Sequence, residues 1–428
     1  MYSDGGAGEV WVHARAVAIR PIPWLDGFRQ PPHAAVMTNP LLLLRNADVY
    51  APDALGLRHL LIGGGKLLWI GETEPQLPAA LEVETLDLEG LRLIPGLIDG
   101  HVHVTGGGGE AGFASRVPAP MLTRYTTAGV TSVVGLLGTD DAARGTAELL
   151  AQVYALRESG LSAWGYCGGY HFPPTTLTGT VRGDIAFAEP LIGVGEVAIS
   201  DHRSSQPTLD EVLRLASEAH VAGLMTGKAG IVHLHLGDGA RGLELVRQAL
   251  DTSELPPRVF QPTHVNRKKA LFEEALALAM RGCHVDITAF PVEEGEDAWP
   301  ADEALMRYLD SGASPQRVSI SSDAGGCLPC FDGEGRVCGM DVGHSGALLE
   351  TLNALLARGL PLDRALPAFT RNPATLLRLR GKGTIAVGSD ADLVALDGEG
   401  RAHHVLLGGA MHVRAGVAVV RGMFEHQH

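Results

Sequence analysis

The chain has 428 residues, 45% of them apolar, enough for one large α/β domain and a smaller companion. Its 34 basic and 49 acidic residues leave a formal charge of −15, which argues against a nucleic-acid partner and fits a soluble enzyme. Five cysteines are too few for a disulfide framework, so a reducing, cytoplasmic setting is expected; no run approaches the ~18 apolar residues of a membrane span.

Residues 1–38 hold Arg15, Arg20, Arg29 and several prolines but no apolar h-region, so they read as an N-terminal extension and not a secretory leader. Residues 39–93 read as hairpins, with Gly63-Gly64-Gly65 as a turn, and residues 383–428 again alternate Val and Ile with Gly. The two stretches predict one small β-sandwich domain built from both chain ends, or else two separate flaps. Between them, residues 94–382 carry a strand-then-helix rhythm. Strands are expected at Leu93–Ile98, Ser132–Leu137, Ser162–Tyr166, Gly193–Ile199, Ile231–Leu236, Val259–Thr263, His284–Thr288 and Val318–Ser321. Helices are expected at Asp140–Ser159, Leu209–Met225, Ala240–Leu250, Lys268–Arg281 and Ala301–Asp310. Eight strands with long crossovers predict an α/β fold, a parallel (β/α)8 TIM barrel.

In such a barrel, reactive groups project from the C-terminal strand ends. His101 and His103 follow strand one with a spacing of two, so both rings can face one side of an extended segment. His235 ends strand five, His264 ends strand six and Asp323 follows strand eight. A lone histidine at a strand end is ordinarily a hydrogen-bonded packing residue. Five such groups at equivalent ends are hard to explain by packing, because a buried polar group without a partner costs ~1–3 kcal/mol. Nitrogen and carboxylate donors of this kind suit zinc better than calcium or magnesium. His233 shares a face with His235 one layer deeper and reads as an interior histidine, while His171 and His202 read as loop residues. Cys327 and Cys330 have CxxC spacing, with Cys338 nearby, but lack a thioredoxin-like context.

The run Pro95–His103 (PGLIDGHVH) resembles the strand-one signature of the amidohydrolase superfamily, and Gly381–Leu393 resembles its return into the β domain. More narrowly, GGGGEAG at Gly106–Gly112, VTSVVGLLGTD at Val130–Asp140, AISDHR at Ala198–Arg203 and PTHVNR at Pro262–Arg267 are similar to the isoaspartyl dipeptidases. Asp286–Thr288 and Ser321–Asp323 extend the likeness, which covers about residues 40 to 425.

The resemblance implies two divalent cations, zinc by preference, and a small acidic dipeptide as substrate. His101, His103 and Asp323 would hold the more buried cation, and His235 and His264 the more exposed one. Many relatives bridge the pair with a carbamylated lysine on strand four; here the alignment places Glu196 there, and Lys228, in a Gly-Lys-Ala-Gly turn, is a poor substitute. Asp323 would move the proton and Tyr170 would polarise the scissile carbonyl. Arg203 and Arg267 would take carboxylates, and Glu110, with Thr139 beside it, the ammonium. Cys327 stands where relatives carry a substrate-touching serine. Another amidohydrolase activity on an acidic N-acyl or cyclic amide is the alternative; a scaffold without turnover should have lost a ligand, and none is missing. A homo-oligomer is expected from the resemblance alone.

Overall fold

The run predicted as one strand at Leu93–Ile98 is two strands that part at Gly96. A Cβ at Gly96 would lie 2.0 Å from Thr131 Oγ1, so a residue with a side chain cannot pass there. The computed structural model describes residues 41–331 and 337–425, with the side chains of 329–331, 337 and 338 left aside. The extension at 1–38 and the side chains of Cys330 and Cys338 lie outside the described set.

Upstream of Gly96 run β1 (Leu41–Tyr50), β2 (Ala54–Gly63), β3 (Lys66–Gly71), β4 (Val83–Asp87) and β5 (Arg92–Pro95). Gly64 and Gly65 turn β2 into β3 with φ of 58° and 78°, the left-handed pair that a two-residue hairpin requires.

Downstream, β6 (Leu97–Val102), β7 (Val130–Gly135), β8 (Ser162–Cys167), β9 (Leu191–Ile199), β10 (Ile231–Leu236) and β11 (Phe260–Thr263) form one parallel sheet in chain order. β12 (Val285–Thr288) and β13 (Val318–Ser321) pair in parallel with each other. The Thr263 hydroxyl donates to Asp286 at 2.8 Å and links β11 to β12. The His103 amide donates to the Ala324 carbonyl at 2.8 Å and links β6 to the end of β13. The eight strands thus curl into a barrel, and every residue of each is buried except Ser162 and Trp164 of β8.

Helices cover the outside: α1 (Leu122–Thr126), α2 (Thr146–Glu158), α3 (Val181–Phe187), α4 (Leu209–Thr226), α5 (Glu244–Thr252), α6 (Lys269–Arg281) and α7 (Ala301–Asp310). The capping box of Thr208 with Glu211 starts α4, and Gly227, at φ 73°, ends it. α2 starts six residues later than the apolar pattern predicts. Asp140 is instead held in a loop by Arg116 at 2.9 Å and Arg144 at 3.2 Å. After β13 comes a hairpin that the periodicity does not announce, β14 (Cys327–Phe331) with β15 (Val337–Val342), and then α8 (Gly346–Ala357).

The C-terminal strands β16 (Leu393–Leu396), β17 (Ala402–Leu407), β18 (Ala410–Arg414) and β19 (Val417–Ala418) do not form a separate flap. β16 pairs antiparallel with β5, which joins both chain ends in one nine-stranded mixed sheet.

Candidate metal centre

Five barrel strands bring six polar side chains to one place. His101 lies in β6 and His103 just beyond it; Glu196 lies in β9, His235 in β10, His264 directly after β11 and Asp323 two residues after β13. None is more than 8% exposed. His264 and Asp323 have φ of 58° and 54°, a left-handed backbone that is unfavourable for residues with a Cβ and marks functional sites.

Glu196 is the centre of the group. One carboxylate oxygen lies 2.9 Å from His235 Nδ1 and 3.5 Å from both His101 Nε2 and His264 Nε2. The other lies 3.4 Å from His103 Nε2. Asp323 Oδ1 stands 3.1 Å from His103 Nε2 and 3.4 Å from His101 Nε2. His101 Nε2 and Asp323 Oδ1 are buried, yet among the described residues no hydrogen bond of normal geometry satisfies either.

These spacings fit shared cations. Two ligands at ~2.0–2.1 Å from zinc and at a tetrahedral angle lie about 3.3–3.4 Å apart, too far for a good hydrogen bond. Three overlapping groups qualify by distance: His101, His103 and Glu196; His101, His264 and Asp323; Glu196, His235 and His264. His101, Glu196 and His264 each belong to two of them, and Glu196 is the carboxylate that stands between the histidine pairs. Lys228 is elsewhere, its ammonium donating to the carbonyls of Ile185, Ala188 and Leu191.

The electrostatics follow from the crowding. Burial acts to raise the Glu196 and Asp323 carboxyls, but the His101 charge and further imidazoles outweigh it and hold both well below the usual range. Burial acts to lower His101, and the two carboxylates overcome it, raising the ring to about 9. His264 goes the other way, well below its usual value, chiefly through burial. Both carboxylates are therefore ionised, as ligands to a cation must be.

Around it lies the rim. Tyr170 Oη touches His235 Nδ1 at 2.9 Å, and burial lifts its phenol far above the usual range. Arg203 stands 5.5 Å from the Tyr170 ring centre and reaches Glu110 at 3.3 Å; Thr139 donates to the same Glu110 oxygen at 2.9 Å. Arg267 donates to the Leu236 carbonyl at 2.9 Å and stands 3.5 Å from His235. Cys327 lies beside the Gly106–Gly109 run, 3.5 Å from where a Cβ on Gly108 would sit, with Sγ 3.3 Å from Met340 Sδ. His171 pairs with Asp141 and His202 with Asp238, both outside the cluster.

Several partners were not singled out from sequence. Asp201 binds Arg203 with both carboxylate oxygens, at 3.1 and 2.8 Å, and His235 Nε2 at 3.0 Å. Its place inside the SDHR segment was the available signal. Asp286 accepts from Thr263, Ser319 and Ser321, and Asp99 accepts from Ser322 and Ser345. Burial raises Asp99 to about 6. Beneath His101 lies His233, which burial and the neighbouring imidazole lower to about 3.

Residues 92–418 match the amidohydrolase family. The chain belongs to that family. This amidohydrolase is similar to a β-aspartyl dipeptidase of Fervidobacterium islandicum AW-1, solved in complex with a β-Asp-Leu dipeptide. The two are 40% identical, with 88% of this chain and 97% of that one covered and a TM-score of 0.83. A dihydropyrimidinase from Brevibacillus agri shares the fold at 18% identity and TM-score 0.63, over 89% of this chain and 97% of that one. A deacetylase of Agrobacterium fabrum is 26% identical over 361 residues, 79% of this chain and 78% of the relative. The buried His, Glu and Asp groups match what a two-metal hydrolase of this family needs. No helix among the described residues is long and apolar enough to cross a membrane.

Proposed function

We propose that this amidohydrolase cleaves β-aspartyl dipeptides, releasing aspartate and a second amino acid, with two zinc ions as cofactors. The observation that carries the reading is the pairing of a cation-ready cluster with a rim of Glu110, Arg203, Arg267 and Tyr170. Such a substrate presents one ammonium and two carboxylates, and the rim offers one carboxylate and two guanidinium forks.

When bound, the cations supply Lewis acidity at the scissile carbonyl and make water acidic enough to attack near neutral pH. His101, His103 and Asp323 would hold one, His235 and His264 the other, with Glu196 between them. Asp323 accepts the proton of the attacking water and returns it to the leaving amine. Tyr170, kept protonated by burial, donates to the developing oxyanion. Glu110, steadied by Thr139, receives the substrate ammonium; Arg203 and Arg267 receive the carboxylates. Cys327, at the glycine-rich edge of the pocket, replaces a hydroxyl with a weaker hydrogen-bonding thiol and adjusts affinity more than rate. A cytoplasmic setting and a homo-oligomeric assembly complete the proposal.

The test is turnover of β-Asp-Leu beside α-Asp-Leu, before and after chelation and zinc restoration. Cleavage of the β-linked peptide alone, lost on chelation and regained with zinc, is expected. Zinc-loaded protein that cleaves neither, but removes acetyl groups from acidic N-acyl amino acids, would transfer the chemistry to the deacetylase branch.

A further inference from the structure

Beneath the metal cradle, two buried side chains that no proposed step uses continue inward from His101. His101 Nδ1 lies 2.8 Å from His233 Nε2, and His233 Nδ1 lies 3.0 Å from Gln261 Oε1. All three residues are at most 2% exposed. The contact between the last two follows from sheet register, because His233 of β10 sits directly opposite Gln261 of β11. The Tyr166 ring stacks on His233, 5.1 Å between centres and 21° between planes. A Cβ on Gly195 would lie 2.7 Å from the His233 Cβ and 2.8 Å from its carbonyl oxygen, so a glycine lets β9 approach β10 closely at this residue.

We infer that His233 is a positioning residue, which with Gln261 fixes the tautomer and rotation of His101 so that its Nε2 presents a lone pair to a cation. An imidazole has one donor and one acceptor when neutral. The Gln261 carbonyl oxygen can only accept, so His233 Nδ1 carries the proton and His233 Nε2 is the acceptor. His101 Nδ1 must then donate to it, which leaves Nε2 as the His101 nitrogen whose lone pair a cation can take. That nitrogen is the one that faces Glu196 and Asp323 and has, among the described residues, no hydrogen bond of normal geometry. If the Gln261 amide were reversed, every donor would reverse with it, and His101 Nε2 would aim a proton into the cradle. One amide orientation, two residues from the metal site, therefore sets its competence. Metal-bound histidines generally hand their second nitrogen to such an outer partner, and loss of that partner costs 10–100-fold in affinity.

This inference rests on the proposed metal site. Zinc stoichiometry of the unaltered protein tests that site, whereas relative affinities of variants test the relay. The experiment is competition for zinc against a chromophoric chelator, with the cobalt absorption spectrum and the melting temperature of chelated protein as companion readouts. His233→Phe keeps ring volume and the Tyr166 stack but removes the acceptor; zinc affinity is expected to fall about 10–100-fold, with a shifted cobalt spectrum. His233→Gln can still accept from His101 and should restore most of the affinity. Gln261→Glu keeps an acceptor at the far end and should bind zinc within a few-fold of wild type, while Gln261→Leu should lose several-fold. The Gln261 pair carries the test if His233→Phe does not fold. Wild-type zinc affinity in His233→Phe or Gln261→Leu would overturn the inference. So would a lowered chelated melting temperature in His233→Phe with no rescue of affinity by His233→Gln, since that pattern belongs to packing alone.

Discussion

Two buried histidines in different parts of the molecule meet opposite fates. His101, at the barrel mouth, and His412, on β18 of the mixed sheet, are 0% and 4% exposed, so both have lost their water. Burial lowers both rings, yet His101 ends at about 9 and His412 at about 4. The difference is company. Glu196 and Asp323 stand within 3.5 Å of His101 Nε2, whereas burial alone acts on His412, and its Nδ1 has no hydrogen-bond partner among the described residues. Burial alone makes a histidine an inert packing residue; burial with carboxylates makes a charged nest that a cation can replace protons in.

Removing the carboxylate at the centre should make the mouth resemble the sheet. In Glu196→Ala, the proposed bridge is gone and the imidazoles lose their common counter-charge. Metal content is expected to fall from two per chain to one or none, and kcat/KM for β-Asp-Leu by at least about 10³-fold, several kcal/mol of transition-state stabilisation. Two retained metals by elemental analysis would place the bridge on another residue.

The second carboxylate separates holding from proton transfer. Asp323→Asn keeps a ligating oxygen but cannot accept a proton, so kcat should drop about 10²–10⁴-fold with KM little changed. A parallel rise in KM would assign Asp323 to binding instead.

Asp201 sharpens the comparison on the rim, since it touches His235 and grips Arg203 through both oxygens. Asp201→Asn leaves the cations in place but frees the guanidinium from its fixed fork. KM is expected to rise about 10-fold, roughly one lost charge-assisted hydrogen bond, with kcat nearly unchanged. A metal content below that of the unaltered protein would instead make Asp201 part of the cradle.

Much of this was legible in the residue order, for a physical reason. A strand exposes alternate residues to one side, and a closed parallel barrel directs its strand ends to one mouth. The spacing of His101, His103, His235, His264 and Asp323 therefore already implied convergence, whereas Glu196 and the rim residues Tyr170, Glu110, Thr139, Arg203, Arg267 and Cys327 needed the family likeness. Contacts that depend on register were hidden. Nothing in the order of residues places His233 opposite Gln261, or brings Asp201 onto His235. The need for glycine at the division was also hidden, because Thr131 of a neighbouring strand imposes it. The hairpin at Cys327–Val342 lacked a strong alternating pattern, and glycines in it broke what pattern there was.

The smallest effect tests the other half of the comparison. His412 packs against the turn that leads into β8, where a Cβ on Gly160 would lie 3.0 Å from its Nε2, so the ring sits at a contact of the mixed sheet with the barrel. Its folded value of about 4 lies below the ordinary 6.5. A depressed value means that the unfolded chain binds the proton more readily. The neutral ring's contribution is then fully present above pH 6.5 and is lost as pH falls toward 4, about 2–3 kcal/mol at most. His412→Leu cannot take up that proton, so its unfolding free energy in urea should fall less steeply between pH 6.5 and 4. Taking the difference between variant and wild type at equal metal content cancels the protons that the metal ligands exchange. Parallel profiles would mean that water reaches the His412 ring, and that the contrast with His101 is one of access as well as of charge.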